Sequence, residues 1–360
     1  MTSEQIRSVF AMKQRNRLLL LTASVAAVAQ IATVSLAQDA EPLWAHAPDT
    51  ISSEWSAVLS ALGQGRDAAV PSTDDVQAWQ ALQDTDITAK IKAAAPFVEA
   101  FNGTLRDITL GGVPTVEVTP DKLARNDKIA VYLHGGAYVF NSARGAITSA
   151  ILLANETGLT VMSVDYTLAP HAKWQETTDQ VLSVFAALDE QNFAATNIVL
   201  YGDSAGGGLS AGSILKMRDQ GMEMPAALIL WSPWTDISET GDSYVTLRDA
   251  EPFFTYQDVL GPSALAYADV TDHRHPYVSP VYGDFKMGFP PTLIQGGTKE
   301  IFLSNFVRLY QALDQAGQTV KLDLYEGMPH VFMAALPESP ESRVAVSKAG
   351  DWVSEHLLDD

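Results

Sequence analysis

Residues 202–207 read Gly202-Asp203-Ser204-Ala205-Gly206-Gly207, directly after the apolar run Ile198-Val199-Leu200-Tyr201. A strand-forming run that enters Gly-x-Ser-x-Gly and leaves into a small-residue helix is the layout that presents a serine hydroxyl at the top of a sheet. The glycines have a steric reason. In so tight a turn, side chains at 202 and 206 would meet the neighbouring strand and helix, and the serine is forced into a strained conformation that lifts its Oγ clear. A serine held this way can attack a carbonyl and form an acyl-enzyme. Alone the pattern is weak: a chain of this length matches it by chance about 0.1 times, and a glycine-rich packing turn would read the same.

A second motif strengthens it. His134-Gly135-Gly136-Ala137-Tyr138 ends the apolar run Ile129-Ala130-Val131-Tyr132-Leu133. Consecutive glycines at a strand C-terminus leave backbone N–H groups free to meet a developing oxyanion. Serine also needs a base, and the base needs an orienting acid. In this kind of fold the order along the chain is serine, acid, histidine, so the base lies among His273, His275, His330 and His356. His330 follows the last strand-like run, Val320 to Tyr325, in the loop Glu326-Gly327-Met328-Pro329-His330. His273 and His275 form a His-x-His pair without further metal ligands, and His356 falls in a terminal helix. Glu300 is the first carboxylate after the run Thr292-Leu293-Ile294-Gln295. It is expected to be the acid, its alternative role being to stabilise a helix start. Asp314 and Asp323 fall inside a helix and a strand.

The elements that must position these residues alternate. Strand-like runs lie near 106–110, 113–118, 128–133, 159–165, 197–201, 226–231, 291–295 and 319–325, with helical stretches near 145–157, 174–189, 204–219, 301–316 and 340–357. Such alternation predicts an α/β fold with a mainly parallel eight-stranded sheet wrapped by helices. The first two runs, joined by Gly111-Gly112, predict an antiparallel hairpin. Residues 38 to about 104 lack strong strand runs. They carry a capped helix after Ser52 with Trp55, Val58, Leu59 and Leu62 at helical spacing, and a second helix over Asp86 to Phe101. Nearly 60 residues separate Trp231 from Pro290 and carry Phe253, Phe254, Tyr256, Tyr267, Tyr277 and Tyr282. That is more than a connector needs. The segment reads as a helix plus lid elements, some of its aromatics packing the sheet flank.

The chain has 360 residues, 47% hydrophobic and 18% charged, with a formal net charge of −20 and no cysteine. The acidity argues against nucleic-acid binding, which needs a basic footprint, and it disfavours polyanionic substrates. Disulfides, thiolate chemistry and cysteine-based zinc sites are excluded. At the N-terminus, Arg7, Lys13, Arg15 and Arg17 precede the uncharged stretch Leu18 to Leu36, and Ser35-Leu36-Ala37 matches a small-x-small cleavage site. Residues 1–37 are therefore expected to be a signal peptide, with a secreted or periplasmic product. The alternative is an uncleaved membrane anchor.

The combined motifs resemble the hormone-sensitive-lipase-like group of α/β-hydrolases. They are the two above together with Val164-Asp165-Tyr166-Thr167-Leu168-Ala169-Pro170, Ser232-Pro233-Trp234-Thr235-Asp236 and Gly327-Met328-Pro329-His330. The resemblance covers about 105–360 and implies a helical cap from residues 38–104 and part of a 238–288 insertion. It implies an oxyanion hole from the N–H groups of Gly135, Gly136 and Ala205. Tyr138, Asp203, Phe253, Phe254 and Val331 are the candidate substrate-pocket residues. The family's Tyr-Arg-Leu-Ala-Pro-Glu pattern reads Tyr166-Thr167-Leu168-Ala169-Pro170-His171 here, without its charged pair. Its Asp-Pro-Leu acid motif reads Glu300-Ile301-Phe302. The implied reaction is hydrolysis of short- to medium-chain acyl esters, without metal or cofactor, on a small-molecule ester. A lactone hydrolase using the same triad is the alternative, ahead of a ligand-binding protein or a serine peptidase. Homodimers are common in the family.

Overall fold

The computed structural model describes residues 42–62 and 70–358. The expected leader, 1–37, lies outside the described residues. Among those described, no helix is long and apolar enough to cross a membrane.

The sheet is built from β1 (Gly103–Leu110), β2 (Val113–Pro120), β3 (Ile129–Leu133), β4 (Thr160–Val164), β5 (Ile198–Asp203), β6 (Ala227–Trp231), β7 (Thr292–Gly297) and β8 (Val320–Tyr325). Their order is β1-β2-β4-β3-β5-β6-β7-β8. β1 and β2 form the antiparallel hairpin, β2 meets β4 antiparallel, and from β4 to β8 every pairing is parallel. The central strands β3, β5 and β6 are buried at every position. That is why they read as unbroken apolar runs, since helices cover both of their faces.

Alternate strand residues serve opposite faces. Val131, Leu133, Leu200, Leu228 and Ile294 join one core with α4 (Trp174–Glu190), α5 (Ala205–Asp219) and α8 (Leu303–Gln315). Ala130, Tyr132, Val199, Tyr201, Ile229 and Leu293 join the other. There they meet α1 (Ser53–Ala61), α3 (Ile147–Thr157) and α9 (Pro340–Val353). The helix α2 (Val76–Ala100) is longer than its periodicity predicts. Asp75 caps it by accepting from the Ala78 amide at 3.0 Å. Its Trp79 packs in the first core and its Ala94 in the second, so no single apolar stripe marks it.

The chain steps from β3 to β4 on one side and then returns to lay β5 on the other. This reversal of strand order leaves a crevice at the C-terminal ends of β3 and β5, where open α/β sheets bind ligands. Both predicted motifs leave the sheet there, because Leu133 stands opposite Gly202. The long stretch after β6 contains no strand. It holds α6 (Ser243–Thr246), a π-helical turn at Tyr256–Leu260 running into α7 (Gly261–Tyr267), and short 3-10 turns.

Candidate active site

Ser204 has φ 54° and ψ −123°, the strained elbow its motif predicts, and α5 begins at the next residue. Its amide donates to Trp231 O of β6 at 2.9 Å, and its carbonyl accepts from the Trp234 amide at 2.8 Å. The steric argument holds at both glycines. A β-carbon on Gly206 would lie 2.0 Å from Leu133 O in β3, and one on Gly202 would lie 2.5 Å from the Gly206 carbonyl in α5.

The loop after β3 carries three successive residues of positive φ: Gly136 (123°), Ala137 (52°) and Tyr138 (65°). It is pinned from below. His134 Nδ1 lies 2.8 Å from Gly135 O, Tyr166 Oη donates to His134 O at 2.7 Å, and the His134 and Tyr166 rings stack at 4.3 Å. Burial lowers the His134 pKa, so the ring is held neutral.

The structure corrects one member of the predicted oxyanion hole. The Gly135 amide donates to Asp203 Oδ1 at 3.1 Å and so is already engaged. None of the described residues accepts from the amides of Gly136, Ala137 or Ala205. Ala137 and Ala205 are buried. A buried amide without an acceptor costs about 1–3 kcal/mol, which a polar ligand would repay. The amides without an acceptor therefore begin one residue further along the loop than Gly135.

Two predicted pocket residues are held by other contacts. Asp203 is buried, hydrogen-bonded to Tyr132 Oη as well as to Gly135, and so supports the loop. The Tyr138 ring is fully buried, stacked on Tyr267 at 3.7 Å, with its hydroxyl against Gly208. Phe253, Phe254 and Val331 are half-buried. Phe254 reaches the predicted base, its ring edge-on to His330 at 4.9 Å, and Phe302 does the same at 5.2 Å.

His330 Nδ1 sits 2.7 Å from Glu300 Oε2. Glu300 is fully buried, and its Oε1 accepts from Ser232 Oγ at 2.7 Å and from the Gly297 amide at 2.6 Å. Three donors around one buried carboxylate compensate its lost hydration. Burial by itself would lower the His330 pKa. The hydrogen bond and charge of Glu300 outweigh it, with Glu251 and Asp203 adding to them, and the pKa stands above the ordinary value. Ser204 Oγ has no hydrogen-bond partner among the described residues. Asp203, the residue before it, is within electrostatic reach of His330.

Sequence reasoning did not assign roles to Ser232 or Glu251. Ser232 (φ 48°) donates to Glu300 and accepts from the Val331 amide at 3.0 Å, tying the acid loop to the base loop. Its place at the end of β6, inside the quoted Ser-Pro-Trp motif, was the available signal. His273 and His275 lie away from this cluster: His275 stacks on Trp174 at 4.5 Å. Among the described residues no group of three or more His, Cys, Asp or Glu could hold a metal ion.

Comparison with known proteins agrees with this fold. A family model described as the alpha/beta hydrolase fold matches residues 130–334. An acetyl-hydrolase of Streptomyces hygroscopicus is 33% identical over 247 residues, 68% of this chain and 81% of that protein. The crystal structure of an esterase superposes with a TM-score of 0.81 at 29% identity, covering 90% of this chain and 99% of the other. An esterase from the bacterial hormone-sensitive lipase family gives 0.68 at 30% identity, covering 71% and 85%. The chain belongs to the α/β-hydrolase family, among its hormone-sensitive-lipase-like carboxylic ester hydrolases.

Proposed function

We propose that Ser204, His330 and Glu300 form a catalytic triad that hydrolyses short- to medium-chain acyl esters through an acyl-enzyme. The observation that carries this reading is the His330–Glu300 pair at 2.7 Å, at the same sheet edge as a serine in a positive-φ elbow. Ser204 Oγ attacks the ester carbonyl while His330 Nε2 takes its proton. Glu300 holds the proton on Nδ1 and stabilises the imidazolium. The amides of Gly136, Ala137 and Ala205 receive the oxyanion, each such donor typically contributing about 3 kcal/mol. His330 returns the proton to the departing alcohol, then takes one from the water that releases the acid and regenerates Ser204. Protein groups supply every step.

The aromatic rings of Phe254 and Phe302 against His330 favour a compact apolar acyl group, and a relative named acetyl-hydrolase points the same way. The lactone alternative finds no support among the relatives described above. Residues 38–104 and part of the 238–288 insertion are proposed as the cover of the site. The leader at 1–37 is proposed to direct export, which N-terminal sequencing of the product from a producing cell would test.

The test is hydrolysis of p-nitrophenyl esters from acetate to palmitate by the full chain, by Ser204→Ala and by His330→Ala. Activity that fades beyond medium chains and vanishes in both variants is the expected result. Turnover retained by folded Ser204→Ala would overturn the mechanism.

A further inference from the structure

Three side chains of α2 hold the loop that follows β3. Trp79, Gln83 and Asp86 stand at i, i+4 and i+7 of the helix and so share one face. The loop closes into a turn, with the amides of Val139 and Phe140 donating to Gly136 O at 3.0 and 2.8 Å. It ends at Asn141, whose φ is 73°. The Trp79 ring is fully buried and lies 6.2 Å from the Phe140 ring. Asp86 Oδ2 accepts from the Asn141 amide at 2.8 Å. Gln83 Nε2 donates to Ala169 O at 2.8 Å, and the Ala169 amide donates in turn to Tyr138 O at 2.9 Å. One turn further along the same face, a β-carbon on Gly145 would lie 2.9 Å from Lys90 Cβ, so α2 runs close against the chain that leaves the loop.

These contacts fall where the loop needs support. Gly136, Ala137 and Tyr138 all have positive φ, and non-glycine residues keep such a conformation only where their surroundings impose it. Asp203 fixes the near end of the loop through the Gly135 amide. Asp86 fixes the far end at Asn141, and Gln83 reaches the middle, beside Ala137, through Ala169. Gln83 is buried, and a buried amide group is costly unless it is hydrogen-bonded. Methionine would fill the same space without that demand. The bond Gln83 makes goes to the residue that holds Tyr138.

We propose that Gln83 and Asp86 are positioning residues that hold the loop after β3 from α2 and fix the direction of the Gly136 and Ala137 amides. The inference rests on those amides receiving the oxyanion formed when Ser204 attacks. Asp86→Ala removes the acceptor of the Asn141 amide, and Asp86→Asn puts one back. Gln83→Met keeps the volume and removes the donor. Asp86→Ala and Gln83→Met are each expected to lower kcat for p-nitrophenyl acetate about 10- to 100-fold, the scale of a small misplacement transmitted to reacting groups, with KM nearly unchanged. Asp86→Asn should recover most of the wild-type kcat. An aryl trifluoromethyl ketone gives a second readout. Ser204 Oγ bonds its carbonyl carbon, the hydroxyl proton passes to His330, and the carbonyl π pair becomes an oxyanion facing the same amides. Its inhibition constant should rise by the factor by which kcat/KM falls. A residue that only stabilised the fold would lower the melting temperature and leave that constant unchanged. Gln80→Ala, on the exposed side of the same helix, should change neither kcat nor the inhibition constant.

Wild-type kcat and inhibition constant in folded Asp86→Ala and Gln83→Met would overturn the inference. So would an Asp86→Asn as impaired as Asp86→Ala, or an equal loss in Gln80→Ala. The Asp86 pair decides the matter if Gln83→Met does not fold. Ser204→Ala, measured beside them, separates the two readings. Turnover in that variant removes the serine mechanism itself, whereas an inactive Ser204→Ala with unchanged ketone inhibition in the α2 variants removes only the role of Gln83 and Asp86.

Discussion

Replacing Glu300 by glutamine tests the triad most sharply, because the structure dictates how the new side chain must sit. Oε1 of Glu300 serves two donors, Ser232 Oγ and the Gly297 amide, while Oε2 faces His330 Nδ1. The Gly297 N–H cannot turn into an acceptor. In Glu300→Gln the amide oxygen must therefore stay with Ser232 and Gly297, and the NH₂ group must face His330. The imidazole then has to accept at Nδ1 and carry its proton on Nε2. That is the nitrogen that should receive the Ser204 proton, so the base is in the wrong tautomer. The corresponding substitution in a serine protease triad lowers kcat by about 10⁴, or about 5 kcal/mol of barrier.

The expected outcome for p-nitrophenyl acetate is a kcat reduced about 10³- to 10⁴-fold with KM little changed. The swap conserves volume, so the fold should survive with a loss of about 1–3 kcal/mol from the altered hydrogen bonds. The pH profile gives a second reading. Glu300 is the main force raising the His330 pKa against burial. Without its charge burial dominates, and the acidic limb of any residual activity should move to lower pH. A kcat within tenfold of wild type, in a folded variant, would refute the assignment of Glu300 as the acid.

Three further outcomes are expected. Gly206→Ala should cost more than about 3 kcal/mol of stability, because its β-carbon would lie 2.0 Å from a backbone oxygen of β3; a melting temperature equal to wild type would contradict so close an approach. Ser232→Ala removes the link between the acid and base loops and should cost about 1–3 kcal/mol, together with a fall in kcat that ester kinetics would detect. Glu251→Gln should be more stable than wild type at pH 8 and no more stable at pH 4.5. The folded-state pKa of Glu251 is raised from 4.5 to about 7, so its contribution is present below 4.5 and is lost as pH rises through 7. The gap is at most about 3 kcal/mol, and thermal melts across that range would show it.

Much of this architecture was legible in the chain because the sheet is buried on both faces. Runs such as Ile129–Leu133 and Ala227–Trp231 need no alternation, and the stretches between them carry clear helical stripes. All eight strands appear where the apolar runs lie. The start of α2 was not legible, because its buried residues are divided between two cores. The proposed acid and base were legible from chain order and strand position: each lies in the loop that follows a parallel strand, and parallel strands deliver their loops to one edge. Glu251 left no such trace. It sits in an irregular segment without periodicity, and only the folded chain buries its carboxyl.

The loop after β3 shows where a motif stops informing. His134-Gly135-Gly136-Ala137 identifies the loop but not which of its amides are free. That depends on a residue 68 positions away in sequence. Because Leu133 pairs with Gly202, the Gly135 amide, the second past β3, and the Asp203 side chain, the last of β5, emerge side by side. Asp203 captures the Gly135 N–H, and its Oδ2 occupies the space a β-carbon at 135 would need, 2.3 Å away. Gly135 is therefore glycine to admit a supporting carboxylate. The run of positive φ begins only after it, at Gly136. Anchoring that amide fixes the direction of those that follow, and such preorganisation is what makes donors effective toward a developing charge. On this argument Asp203 contributes to rate through Gly135, without touching substrate, and an alanine at 137 serves as well as glycine because the amide, not the side chain, is what the site requires.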